Sequence, residues 1–265
     1  MTAVRKTYVD GPFGQVHARL TSPVEGAQPL VCLHATAYSS QSFLPIMQAV
    51  GARRQVIAID APGYGESDGP SAPIAMDDYG AATLAAVEQL VDGPVAVLGY
   101  HTGCYAATEM AIARADLIDR LVLIGIPYFQ ALDFDLWKAR LATPHRLTDR
   151  LDQFEERWSY FVTNRDAAVS LERGFANFVD ELKAWPDGWW AHDAMFAYDS
   201  DARLPLVQQP VLVLNPDGHL APASRAAGAL MPRCTVKEMP TLTGPVLESA
   251  SDRIGAAVEE WLAQL

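Results

Sequence analysis

The sequence predicts an α/β fold in which a mostly parallel sheet is covered by helices on both faces. Three observations predict it. Several short apolar runs, residues 30–33, 95–98, 121–124 and 210–214, are continuous rather than alternating, as strands buried on both faces are. Stretches of helical periodicity separate most of them, the order expected when parallel strands are joined by crossover helices. A length of 265 residues, half of them hydrophobic, suits one such core with a sizeable insertion.

Taken in order, residues 6–10 and 14–20 flank Gly11-Pro12 and read as an opening hairpin. Residues 30–33 form a buried strand ending at His34. Residues 55–60 form another, which runs into Asp60-Ala61-Pro62-Gly63-Tyr64-Gly65-Glu66-Ser67, a loop whose glycines permit tight turns. Residues 77–91 are alanine-rich and helical, with Asp77 and Asp78 favouring the positive N-terminal end. The strand 95–98 leads into Gly99-Tyr100-His101-Thr102-Gly103 and a helix over about 103–115. After the strand at 121–124 comes a segment of different character, residues 128–205, which is helically patterned and strand-free. It holds Trp137, Trp158, Trp185, Trp189 and Trp190, five of the six tryptophans. Strands at 210–214 and 235–239 and a helix over 251–265 close the chain. The expected division is a core of residues 1–127 and 206–265 and a helical cap of residues 128–205. Some of the cap's rings, Trp190 among them, would line an apolar pocket beyond the carboxyl ends of the strands.

A formal charge of −12 argues against nucleic acid or an anionic membrane as partner, since both reward basic patches. The expected partner is a small-molecule substrate, and a homodimer is allowed. Cys32, Cys104 and Cys234 are an odd number in no framework of disulfide spacing. No apolar h-region follows the first residues and no run reaches membrane-spanning length. A reducing, cytoplasmic location is expected, and no cofactor or metal.

Residues 99–103 have the frame G-x-S-x-G of a nucleophile elbow, a sharp turn that lifts one side chain above a parallel sheet. The lifted side chain here is His101. Three further pieces accompany it: Leu33-His34-Ala35-Thr36 with Ala37-Tyr38-Ser39-Ser40, the Asp60–Ser67 loop, and Val211-Leu212-Val213-Leu214 after the cap. Together they resemble the α/β-hydrolase superfamily, respectively its His-Gly oxyanion loop, its D-x-P-G-x-G-x-S loop and its penultimate strand. The resemblance covers nearly the whole chain. It implies an eight-stranded, mostly parallel sheet with a capped pocket above the elbow. Because the superfamily includes esterases, dehalogenases, lyases and cofactor-free dioxygenases, fold alone does not choose the reaction.

The same resemblance shows where this chain departs from the family. The acid position after the penultimate strand falls on His219, with Asp217 two residues earlier. The position of the C-terminal histidine falls on Thr243, and no histidine follows residue 219. A serine needs a neighbouring base to act as nucleophile, whereas neutral imidazole is nucleophilic or basic near pH 7 without one. The expected catalytic group is therefore His101, oriented by His219 or Asp217. An oxyanion hole would come from the backbone N–H groups of Thr36 and Thr102. His34, Tyr38, Tyr100, Trp190 and Thr243 are expected polar or lining contacts, although His34 also suits a structural role. His192 reads as cap surface, with an inward position as the alternative, and Cys104 as a buried small residue. The leading reading is hydrolysis of an ester- or lactone-like bond in a small, largely apolar substrate. Proton-transfer chemistry of lyase or isomerase type would use the same imidazole. A catalytically inactive ligand-binding protein is a third reading, and zinc held by His34, His101 and His219 a fourth.

Overall fold

The structure, a computed structural model, describes residues 2–129 and 133–264. The eight strands are β1 (Arg5–Gly11), β2 (Gly14–Leu20), β3 (Leu30–Leu33), β4 (Val56–Ile59), β5 (Val95–Tyr100), β6 (Ile118–Ile124), β7 (Val211–Pro216) and β8 (Cys234–Met239). They form one sheet in the order β1-β2-β4-β3-β5-β6-β7-β8. The β1–β2 and β2–β4 pairs are antiparallel, and every other pair is parallel.

Alternation along the strands sorts their side chains onto two faces. Val31, Leu33, Ile57, Ile59, Val97, Leu121, Leu123, Val211 and Val213 pack on one side. There they meet α2 (Met76–Leu90) and α3 (Gly103–Ala113). Leu30, Cys32, Val56, Ala58, Ala96, Leu98, Val122, Leu212 and Leu214 pack on the other, beneath α1 (Leu44–Val50) and the closing α11 (Ser251–Leu262). Burial on both faces is why these strands read as unbroken apolar runs. Asp78 supports the start of α2 by accepting a hydrogen bond from Ala75 N–H at 3.1 Å.

The chain between β6 and β7 is helical, with no strand among its described residues. It contains α4 (Phe134–Leu141), α5 (Glu155–Trp158), α6 (Leu171–Lys183), α7 (Trp190–Ala197) and α8 (Ser200–Arg203). Side chains bind this insertion to the loops at the carboxyl edge of the sheet. Ser39 Oγ donates to Asp180 at 2.6 Å, and the Arg173 guanidinium donates to Gln41 O at 2.8 Å and pairs with Glu248 at 3.2 Å. The Tyr64 hydroxyl donates to Gly188 O at 3.0 Å and accepts from Ala191 N–H at 3.1 Å. Beyond β7 lie α9 (Ala221–Leu230) and the short α10 (Val246–Ser249). Among the described residues no helix is long and apolar enough to cross a membrane.

Strand register sets the position of the site. Leu33 lies opposite Gly99, Tyr100 opposite Ile124, and Ile124 opposite Leu214. His34, His101 and Gly125, which follow their strands, and Asn215, the penultimate residue of β7, therefore stand along one edge of the sheet, below the helical insertion.

Candidate active site

His101 has φ +49°, the left-handed conformation, alone among the described non-glycine residues. Such backbone is strained for an L-residue with a branched or bulky side chain and marks a turn held by its surroundings. Two bonds hold it: His101 N–H donates to Ile124 O at 3.0 Å, and Cys104 N–H donates to His101 O at 2.9 Å. The turn thus ties β5 to β6 and starts α3. Cys104 packs beneath it, and burial pushes its thiol up to about 12, so it is no nucleophile near neutral pH.

The imidazole of His101 leans over β6. A Cβ placed on Gly125 would lie 2.8 Å from His101 Cδ2 and 2.9 Å from Nε2, so only glycine admits the ring there. Gly125 also has φ +68°, which glycine tolerates best. The Tyr100 ring covers the other side, with centroids 4.1 Å apart. Among the described residues neither nitrogen of His101 has a hydrogen-bond partner. Burial pushes its pKa down to about 4, and the field of the neighbouring His219 adds to that shift. His101 is therefore a neutral imidazole at physiological pH, with its nitrogens uncommitted.

Neither expected orienting group bonds to it. His219 is exposed and stacks on Trp137 of the insertion, with centroids 5.0 Å apart and planes 17° from parallel. Asp217 is exposed on the same loop, and its charge acts on Arg225. The loop after β7 thus brings an imidazole within electrostatic reach of His101 but no carboxylate to its ring. His192, read as cap surface with an inward position as the alternative, is half-buried. Burial pushes its pKa down to about 4, with further lowering by Arg157 and His101. It lies on the flank of the α7 face made by Ala191, Ala194 and Met195, a pattern that could have placed it inward.

The oxyanion groups are also differently disposed. Thr36 N–H donates to Thr102 Oγ1 at 3.4 Å, and the Thr36 hydroxyl donates to the same oxygen at 3.0 Å. The Thr102 hydroxyl in turn donates to Met195 Sδ at 3.8 Å. The amide expected to face a substrate oxyanion therefore faces the side chain of its neighbour across the elbow. His34 is engaged by backbone on both sides, with Nδ1 bonded to Ala35 O at 2.8 Å and Nε2 accepting from Ala61 N–H at 2.9 Å. That removes it from substrate polar contact and from any three-histidine zinc set.

The remaining expected contacts are dispersed. Tyr38 and Tyr100 lie under the insertion, and burial raises the pKa of both hydroxyls. Glu248 acts on both, so the two phenols share one electrostatic neighbourhood. Trp190 begins α7 and is half-buried. Thr243 is exposed and makes no side-chain hydrogen bond among the described residues.

A match to the family model described as alpha/beta hydrolase fold spans residues 28–225, from just before β3 into α9. The chain belongs to the α/β-hydrolase family. Among solved structures, this α/β hydrolase resembles a carboxylesterase from Bacillus subtilis with a TM-score of 0.78 and 19% identity, over 98% of this chain and 92% of that one. It also resembles an E-2-(acetamidomethylene)succinate hydrolase with a TM-score of 0.74 and 18% identity, over 98% and 99% of the two chains. In sequence it is 26% identical over 133 residues to the 2-(acetamidomethylene)succinate hydrolase of Mesorhizobium japonicum, which is 49% of this chain and 48% of that protein. Over 101 residues, 38% of each chain, it is 26% identical to the (E)-2-((N-methylformamido)methylene)succinate hydrolase of Acinetobacter baylyi. The alignment thus spans less than half the length of these curated relatives.

Proposed function

We propose that this α/β hydrolase is an enzyme that hydrolyses an ester- or lactone-like bond in a small, neutral, largely apolar substrate, with His101 as nucleophile or general base. The observation that carries the reading is the elbow itself: a strained turn presents a neutral imidazole whose nitrogens have no hydrogen-bond partner among the described residues. The sequence relatives named as hydrolases support the reaction class. A neutral imidazole attacks an activated acyl carbon, or takes a proton from water that does so, and the second nitrogen remains free to adjust tautomer. The helical insertion serves as the cap over this edge of the sheet.

The relatives' names specify succinate derivatives. The charges near this site favour a different substrate. Arg157 is already paired with Glu181 at 3.3 Å and Arg173 with Glu248 at 3.2 Å, so these two guanidinium groups are neutralised. A dianionic substrate bound at the elbow would lose hydration at a half-buried edge whose one nearby unpaired guanidinium among the described residues, Arg140, is solvated beside Trp137 and His219.

The test is a panel of activated esters and lactones assayed with wild type and His101→Ala. Loss of turnover by at least about a hundredfold is expected, the lower end for a removed acid–base group. Activity that survives the substitution overturns the assignment. Mass spectrometry of quenched reactions separates the two roles, since only a nucleophile yields an acyl-histidine adduct.

A second reading, a binding protein with no turnover, is favoured by one observation: the Thr102 hydroxyl stands against Thr36 N–H where an oxyanion would need it. Native mass spectrometry of the purified protein tests it. A copurified small molecule released unchanged supports this reading, and conversion of that molecule to product refutes it.

A further inference from the structure

On the side of Thr102 away from the His101 imidazole, between β3, β4, α2 and α3, lies a cavity of about 30 Å³. Leu33, Ile59, Met76, Ala106 and Ala191 supply much of its apolar wall, and α7 contributes to the roof. His101 is not among the lining residues. The sheet order explains the separation, because the imidazole leans towards β6 whereas the cavity extends over β3 and β4.

Six polar side chains also line this cavity, and five of them are satisfied within the protein. His34 is held by Ala35 O and Ala61 N–H, Tyr64 by Gly188 O and Ala191 N–H, and Thr36 and Thr102 by one another. The Thr83 hydroxyl donates to Tyr79 O at 2.8 Å. The exception is Tyr79, which is 3% exposed: its buried hydroxyl faces the Tyr64 hydroxyl, itself engaged by Gly188 O and Ala191 N–H, and makes no hydrogen bond of normal length and angle among the described residues. A buried hydroxyl left unpaired costs about 1–3 kcal/mol, so such groups in folded proteins are generally met by something.

We propose that this cavity is a binding pocket for a short, neutral aliphatic molecule carrying one oxygen, such as a two- or three-carbon alcohol, anchored by the Tyr79 hydroxyl. Its volume is more than twice the roughly 10–15 Å³ that admits a single water, which limits the occupant to a few non-hydrogen atoms. The apolar wall favours carbon, and the single free hydroxyl provides for one oxygen. An ionised ligand is disfavoured because no charged group lines the wall to replace its hydration. The pocket does not depend on chemistry at His101.

The probe is ethanol titrated into protein carrying ¹³C-methyl methionine, with xenon as a purely apolar comparison. Met76 reports from the wall. Met47, fully buried on the opposite face of the sheet under α1, reports on general solvent effects and on folding. Both probes should shift the Met76 methyl saturably and leave Met47 in place. Tyr79→Phe should weaken ethanol roughly fivefold, as the loss of one neutral hydrogen bond does, and leave xenon unchanged. Ala106→Val should abolish both responses, with the Met47 signal confirming the fold. His101→Ala should alter none of them, so failure of the esterase reading leaves this result standing. A Met76 methyl that no probe shifts saturably, as for a cavity holding only water, overturns the proposal. So does ethanol affinity indifferent to Tyr79→Phe.

Discussion

Two imidazoles in this protein, His17 fully buried and His101 half-buried, meet opposite electrostatic surroundings. His17, on β2, is fully buried, and its Nδ1 lies 2.7 Å from Asp60 Oδ2. The same carboxylate accepts from Ser40 N–H at 2.6 Å and from Glu66 N–H at 2.9 Å. Gly65 allows the loop to wrap this close, since a Cβ there would fall 2.2 Å from Asp60 Oδ2. Burial alone would raise the pKa of Asp60, but the hydrogen bond from His17, the field of His34 and these amide donors bring it down to about 2. Among the described residues His101 has no carboxylate and no hydrogen bond at its ring, and it remains neutral because burial disfavours its charge. The acid–histidine pair in this molecule holds a loop together, while the imidazole at the elbow stands uncommitted. Structural and chemical roles make opposite demands: a group that holds a loop must have its bonding capacity used, and one that reacts must keep it available.

The largest effect that would test this contrast is on stability. Asp60→Ala should cost about 3–5 kcal/mol, as breaking a buried charged network does, whereas His101→Ala should change stability by less than about 1 kcal/mol. Urea unfolding measures both, and comparable losses would mean that His101 is a structural group. Next is Gly125→Ala, which drives a methyl against the imidazole at a positive φ. A loss of about 1–3 kcal/mol is expected, together with a displaced His101 ring signal in NMR spectra and reduced turnover.

Acid should separate the two imidazole environments into two windows. His101 binds its proton less readily when folded (about 4) than when unfolded, ~6.5. The unfolded chain therefore takes up more protons between those values, and the His101 contribution to stability declines as pH falls from about 6.5 to 4. The Asp60 carboxyl, at about 2 folded and ~3.9 unfolded, contributes above pH 4 and loses that contribution as pH falls towards 2. Turnover that depends on neutral His101 should be level through neutral pH and fall only as pH approaches 4. A single acid transition near pH 6.5 would contradict this order. The smallest effect belongs to His219→Ala, which removes an unfavourable neighbour. The His101 titration should move slightly upward, and an unchanged NMR titration would show that the two rings do not communicate.

Local pattern carried much of the sequence reading. The glycine frame around His101, the unbroken apolar strands and the tight loop after Asp60 each depend on neighbours a few residues away. The positions that the family resemblance aligns with a triad, His101, His219 and Thr243, are legible for the same reason, because that pattern sets each at a fixed offset from a strand end. The Asp60–Ser67 loop reads as structural from its glycines, but its buried partner does not, because His17 is 43 residues away along the chain.

The sequence by itself determined the order of the elements, the class of the fold and the presence of a histidine where the turn lifts one side chain. Periodicity and turn chemistry are local, so they can be read along a single chain. Tertiary structure decided what each polar group bonds to. It placed His219 on Trp137, gave the Thr36 amide to the Thr102 hydroxyl, brought His192 inward and left Tyr79 unpaired. Those outcomes depend on distances between residues far apart in sequence. Such distances arise only when the helical insertion is packed over the carboxyl edge of the sheet and every buried polar atom has to find a partner or do without one.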